Sequence, residues 1–176
     1  MTDKIITRER IVALSHVSHW RGWTKRPYSV GEHTAVGLHA MNWFKRPVEQ
    51  MRRWCLHDIH ETEVVGDVPT PDKREYMNEK YFTAVEEFDF RLGVEAGCTD
   101  FFWWEDQGVK DVDWKILLVE NDLIRFEPSP SIPSPDYSDP FQHHIRNCIQ
   151  RQTFATSDRV IIMWNKLAYR FGWDEI

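Results

Sequence analysis

An all-α fold follows from three properties of this chain. Apolar residues recur at helical spacing, no alternating run is long enough to make a sheet, and helix starts and breakers such as Ser29, Pro47, Gly66, Pro69 and Pro71 punctuate the periodic stretches. A chain of 176 residues can bury a real hydrophobic core without staples, so one domain over 1–176 is expected.

The elements follow in order. Ile11, Val12, Leu14 and Val17 predict a first helix over 8–19, ending near Gly22. The stretch WRGWTKRPYS that follows is a loop in which Arg21, Lys25 and Arg26 lie among Trp20, Trp23 and Tyr28, either solvated or forming a substrate wall. Ser29, with Glu32 three residues on, has the capping-box pattern and opens a helix to about Phe44. Pro47 suits the first turn of the next helix, which carries Met51, Trp54, Cys55, Leu56 and Ile59 on past Glu61. Residues 73–96 form an amphipathic helix, weakening at Gly93 and Gly97. Lys110 to Glu127 is helical, and the proline-rich 127–140 segment is too long for a mere turn, reading as a flap or an oligomer contact. Helix resumes from about His143 to Phe171, with a break near Thr156-Ser157.

Composition excludes several classes. The net charge of −6 argues against duplex nucleic-acid binding, which depends on a basic footprint. No apolar run approaches the roughly 20 residues that cross a bilayer, and the N-terminus lacks a secretory pattern. Cys55, Cys98 and Cys148 form no CxxC pair and read as reduced, mostly buried, cytosolic thiols. The nine tryptophans are expected in core or interface, because a large ring contributes most through burial.

The chemistry concentrates in WCLHDIHETEVVGDVPTP, residues 54–71, where ionisable groups crowd the point at which an apolar stretch enters the core. Buried bare they would be costly, so something must pair with them. His33, His57, Asp58, Glu61 and Asp122 all fall on apolar helical faces, and imidazoles with carboxylates suit a borderline divalent ion. Glu61 sits one turn beyond His57 and Asp58, placed to hold a water beside such a metal and accept its proton. Competing chemistries lack their parts. Val64 stands where a zinc-protease motif needs its second histidine, there is no PCxxC and no Glu-x-x-His, and no P-loop, GxGxxG or GxSxG occurs. Metal-assisted hydrolysis remains.

The pattern His33 … His57-Asp58 … Asp122 resembles the H…HD…D signature of HD-domain metal-dependent phosphohydrolases. The strings YSVGEHTAVGLHAM and LHDIHETEVVGDVPTPDK are similar to the compact branch of bacterial 5′-deoxynucleotidases and phage dATP triphosphohydrolases, across about residues 18–126. The resemblance implies an all-α HD-domain helical bundle, usually homo-oligomeric, in the cytoplasm of a bacterium or of a phage host. It implies His33, His57, Asp58 and Asp122 as ligands of Co, Mn, Zn, Ni or Fe, with Mg accompanying a triphosphate. It further implies Glu61 orienting or deprotonating the attacking water, Asp67 assisting at the leaving group or fixing substrate geometry, and Trp20, Arg21, Pro71 and Lys73 meeting a deoxynucleotide substrate. Relatives carry arginine just before the tryptophan, where this chain has His19. The leading expectation is a dATP triphosphohydrolase releasing deoxynucleoside and tripolyphosphate. A 5′-deoxynucleotidase acting on monophosphates comes next, and a non-enzymatic bundle with a structural metal site third. Glu61 argues against the last, since a structural clip has no need of a water-orienting carboxylate.

Overall fold

The computed structural model describes residues 6–63, 67, 77–98 and 105–173. Among them are seven α-helices and no strand, so the fold is all-α. They are α1 (Arg8–Leu14), α2 (Val30–Trp43), α3 (Val48–Leu56), α4 (Glu79–Ala96), α5 (Gln107–Leu123), α6 (Pro140–Gln150) and α7 (Ser157–Phe171), with 3₁₀ turns at His19–Gly22 and Ile59–Thr62.

Local chemistry accounts for most of the helix starts. Thr7, Ser29, Asn78, Asp106 and Asp139 each accept from a backbone N–H of the first turn they precede, satisfying donors that have no intrahelical partner. Ser29 makes half of the expected capping box, taking Glu32 N–H at 3.0 Å. The Glu32 carboxylate does not return the bond. It is buried, and Arg26 holds it with two charge-assisted hydrogen bonds of 2.7 and 2.8 Å.

Several boundaries differ from the sequence expectation. The first helix stops at Leu14, because Val30 N–H donates to Val17 C=O and Ser18 bridges Ser29, drawing the chain across the start of α2. The helix expected to run past Glu61 ends at Leu56; His57 and Asp58 turn out of it, and a 3₁₀ turn carries Glu61. The helix expected over 73–96 is described from Glu79, residues 73–76 lying outside the described range. The helix expected to reach Glu127 ends at Leu123. The helix expected from about His143 begins earlier, at Pro140, whose fixed φ suits a helix start, while the break expected near Thr156-Ser157 is present, the last helix starting at Ser157.

Helix α2 is the hub. It packs against α1, α3, α5, α6 and α7, and eleven of its fourteen residues are buried. Helix α3 approaches it at Gly37, with the fully buried Trp54 ring donating its indole N–H to Thr34 C=O at 2.8 Å. A Cβ at Gly37 would fall inside the van der Waals radius of that ring and against Ile116 of α5.

The 127–140 segment runs along the outside of α5. Asn121 Oδ1 accepts from Ser129 N–H at 2.8 Å, Tyr137 donates to Asp122 at 2.6 Å, and Asp136 N–H donates to Gln142 at 3.0 Å. No helix among the described residues is long and apolar enough to cross a membrane.

Gly37→Ala should therefore lower the unfolding free energy by about 1–3 kcal/mol, the range for overpacking a tight core. An unchanged urea midpoint would mean that Trp54 can move aside freely.

Candidate metal centre

His33 lies in the first turn of α2, 2% exposed. Its Nδ1 is 2.8 Å from Glu120 Oε1, so this nitrogen carries a proton and donates it. His57, where the chain turns out of α3, is stacked on Trp54 with ring centroids 4.1 Å apart, and its Nδ1 donates to Trp54 C=O at 2.6 Å. With both Nδ1 atoms engaged, both Nε2 atoms face the same point. Asp58 completes that point, its Oδ2 lying 2.9 Å from His57 Nε2 and 3.8 Å from His33 Nε2. The ligating atoms of His33, His57 and Asp58 all lie within 4.8 Å of one another. Neither Nε2 makes an aligned hydrogen bond, despite being buried and close to carboxylates.

Metal-binding histidines almost always donate the other ring N–H to a carboxylate or backbone carbonyl, which fixes the tautomer and aims the lone pair. His33 and His57 both have that arrangement, and the N, N, O donor set fits a borderline divalent cation. A proton on His33 Nε2 and a cation compete for the same lone pair.

Asp122 is not part of this cluster. It is exposed, and its carboxylate accepts from Tyr137. Another aspartate on α5 reaches the site: Asp113 Oδ1 is 3.4 Å from His33 Nε2, with its side chain 51% exposed. The two aspartates are nine residues apart, which at about 100° per residue puts them on opposite sides of the helix. Glu120, seven residues after Asp113, returns to the same side. The sequence signal for Asp113 is its place beside the apolar stripe of Val109, Val112, Ile116 and Val119, all buried.

Glu120 was not singled out by sequence, yet it is wholly buried and organises the site. Besides His33 it accepts from the Tyr28 hydroxyl at 2.8 Å, from His19 Nε2 at 3.1 Å and from the Trp20 indole N–H at 3.2 Å. Burial raises a carboxyl pKa, but the adjoining His33 and His19 outweigh it and hold Glu120 well below the usual carboxylate range. Burial likewise disfavours charged His19; the Glu120 charge and the bonds to Asp67 and Glu120 overcome that and push it up to about 10. Burial disfavours the Asp58 anion, and His57 beside it nonetheless holds Asp58 well below its ordinary range.

Glu61 is buried on the 3₁₀ turn Ile59–Thr62 that follows Asp58, and its N–H donates to Asp58 C=O at 3.0 Å. Asp67 is bound at 2.9 Å to His19 Nδ1 and also accepts the Trp20 backbone N–H, so it secures the loop before α2. Trp20 and Arg21 both adopt positive φ, 55° and 52°, rare for side chains of this size. Arg125 stacks over the Trp20 ring at 4.7 Å, and Arg21 is exposed. Arg26, read as part of a cationic wall, is engaged by Glu32. Pro71 and Lys73 lie outside the described residues.

Comparison with known protein families, with curated proteins and with solved structures finds no match to this chain.

The charge network sets a pH profile for the chelator-treated protein. The folded His19 pKa lies above the ordinary imidazole value of about 6.5, so its stabilisation is complete below that pH and is lost as pH rises through about 10. The Glu120 pKa is depressed, so its contribution is present above the ordinary carboxylate range and lost as pH falls below it. Urea midpoints should peak between these limits, and His19→Gln should flatten the alkaline limb. An alkaline limb of unchanged slope in that variant would place the titrating group elsewhere.

Proposed function

We propose that this chain is a metal-dependent phosphohydrolase of the HD type, acting on deoxynucleoside 5′-phosphates, with dATP cleaved to deoxyadenosine and tripolyphosphate as the specific reaction. One observation carries the reading: two imidazole Nε2 atoms and a carboxylate converge on one point while both Nδ1 atoms are tied behind them. The family resemblance of the surrounding strings adds the substrate class.

In this reading His33, His57 and Asp58 hold the cation, and Asp113 takes the role that the sequence pattern assigned to Asp122. The cation supplies Lewis acidity toward a phosphoryl oxygen and lowers the pKa of water at the site. The chain's own residues do the rest. Glu61, buried one turn beyond Asp58, orients the attacking water and accepts its proton as the water adds to phosphorus. The phosphorus–oxygen bond to the deoxyribose 5′-oxygen breaks, and that oxygen takes up a proton. Glu120 keeps His33 in the tautomer that presents Nε2. Asp67 holds His19 and the Trp20 backbone, presenting the Trp20 ring and Arg125 at the rim of the site as the surface for a nucleoside.

The test is product analysis with Mn²⁺ or Co²⁺, each dNTP and dNMP incubated separately. Tripolyphosphate and deoxyadenosine from dATP are expected. Orthophosphate from monophosphates alone would make the chain a 5′-deoxynucleotidase, and no product from a metal-loaded protein would make the centre structural. Glu61→Ala should lower kcat by about 10²–10⁴-fold while leaving metal bound. Asp113→Ala should weaken both metal binding and turnover, whereas Asp122→Ala should leave both within a few-fold of the parent. The reverse ranking would return the ligand role to Asp122.

A further inference from the structure

The second histidine of α2, His39, takes no part in the centre around His33. It follows His33 by six residues, about 120° away around the helix, and turns toward α6. There His144 and Cys148, four residues apart and so on one face of α6, meet it. His39 Nδ1 is 2.9 Å from His144 Nε2 and 3.6 Å from Cys148 Sγ, and the three ligating atoms lie within 4.8 Å of one another. Both imidazoles are half-buried, and Cys148 is 5% exposed.

The spacing matches a tetrahedral site. With metal–nitrogen bonds of about 2.0–2.1 Å and a metal–sulfur bond of about 2.3 Å, tetrahedral edges are about 3.6 Å for N···S and about 3.3 Å for N···N. The N···S separation from His39 already has that length, that from His144 is within 4.8 Å, and the two nitrogens need to part by only a few tenths of an ångström. Aromatic rings hold the imidazoles in place. His39 and His144 stack at 5.0 Å with 13° between their planes, Trp43 stacks on His144 at 5.3 Å, and Phe154 packs against His39 at 5.4 Å. Such a setting of two imidazoles and a thiol under an aromatic cover favours a softer ion than the centre of imidazoles and carboxylates does.

We propose that His39 Nδ1, His144 Nε2 and Cys148 Sγ form a second metal site, selective for a zinc-class divalent cation, that cross-links α2 to α6. On binding, the Cys148 thiol releases its proton to solvent and the thiolate gives an electron pair to the cation. Both imidazoles coordinate in the neutral form, and a water fills the fourth position. The site is independent of the phosphohydrolase reading: it shares no ligand with that centre and differs from it in donor set.

Cobalt makes the site visible, because a cobalt–thiolate bond gives a charge-transfer band in the near ultraviolet that imidazole and carboxylate ligands do not. The full chain, stripped with chelator and titrated with Co²⁺, should develop this band to one equivalent. Asp58→Ala, which disrupts only the other centre, should keep the band at full amplitude, as should Cys98→Ser. Cys148→Ser should lose it, and zinc content after loading and desalting should fall by one equivalent per chain. Absence of the band in the unmodified chain decides against the site even if a variant folds poorly. Its absence at saturating Co²⁺, or its persistence in Cys148→Ser, would overturn the proposal and reduce the cluster to a histidine–histidine hydrogen bond beside a buried thiol.

Discussion

The structure depends on the charge of one carboxylate. Glu120 is wholly out of water, and an ion so placed is tolerated only when its lone pairs are met by donors and its charge by counter-charges. Tyr28, His33, His19 and Trp20 meet it from a stretch of chain about a hundred residues earlier. This requirement accounts for features that look unrelated. It brings His19 into the interior, where Asp67 binds its other nitrogen. It also bends Trp20 and Arg21 into the left-handed region, a strain of the order of 1–3 kcal/mol per residue that persists because Trp20 is fixed at both its backbone and its indole nitrogen. Finally, it fixes the tautomer of His33.

Helix α2 shows why chemistry accumulates on so few elements. Surrounded by five other helices, it has little contact with solvent, and each polar group it carries must find a partner within the protein. Glu32 finds Arg26, and Thr34 returns its hydroxyl to Val30 C=O. His33 and His39 leave the same helix in different directions and meet different company, carboxylates on one side and a thiol on the other.

Much of this was legible in the sequence, for reasons that can be named. Ser29 and Pro47 announced helix starts or their neighbourhood because capping and proline geometry are local effects. His33, His57 and Asp58 stood out because ionisable groups on apolar faces call for a partner. The misread features are those that distant contacts decide. Nothing within residues 8–19 shows that Ser18 will pair with Ser29, and nothing within 47–61 shows that His57 and Asp58 will leave the helix. Asp122 and Asp113 both sit among apolar neighbours, and only rotation about α5 separates them: Asp113 lies 3.4 Å from His33 Nε2, whereas Asp122 faces Tyr137. Glu120 lies one residue from Asn121 and two from Asp122, toward the polar end of the helix. Its seven-residue spacing from Asp113 was the available clue.

The outward side of α5 has a consequence of another kind. Asp122 and Asn121 fasten a long irregular stretch in which five of the fourteen residues from 127 to 140 are proline. Proline narrows the conformations open to a chain before it folds as well as after. Ordering this stretch along the helix therefore forfeits less disorder than its length implies, and a few hydrogen bonds from one helix face are enough to hold it. What reads in sequence as a segment too broken for secondary structure is, by its stiffness in the unfolded ensemble, partly prepared for its native path.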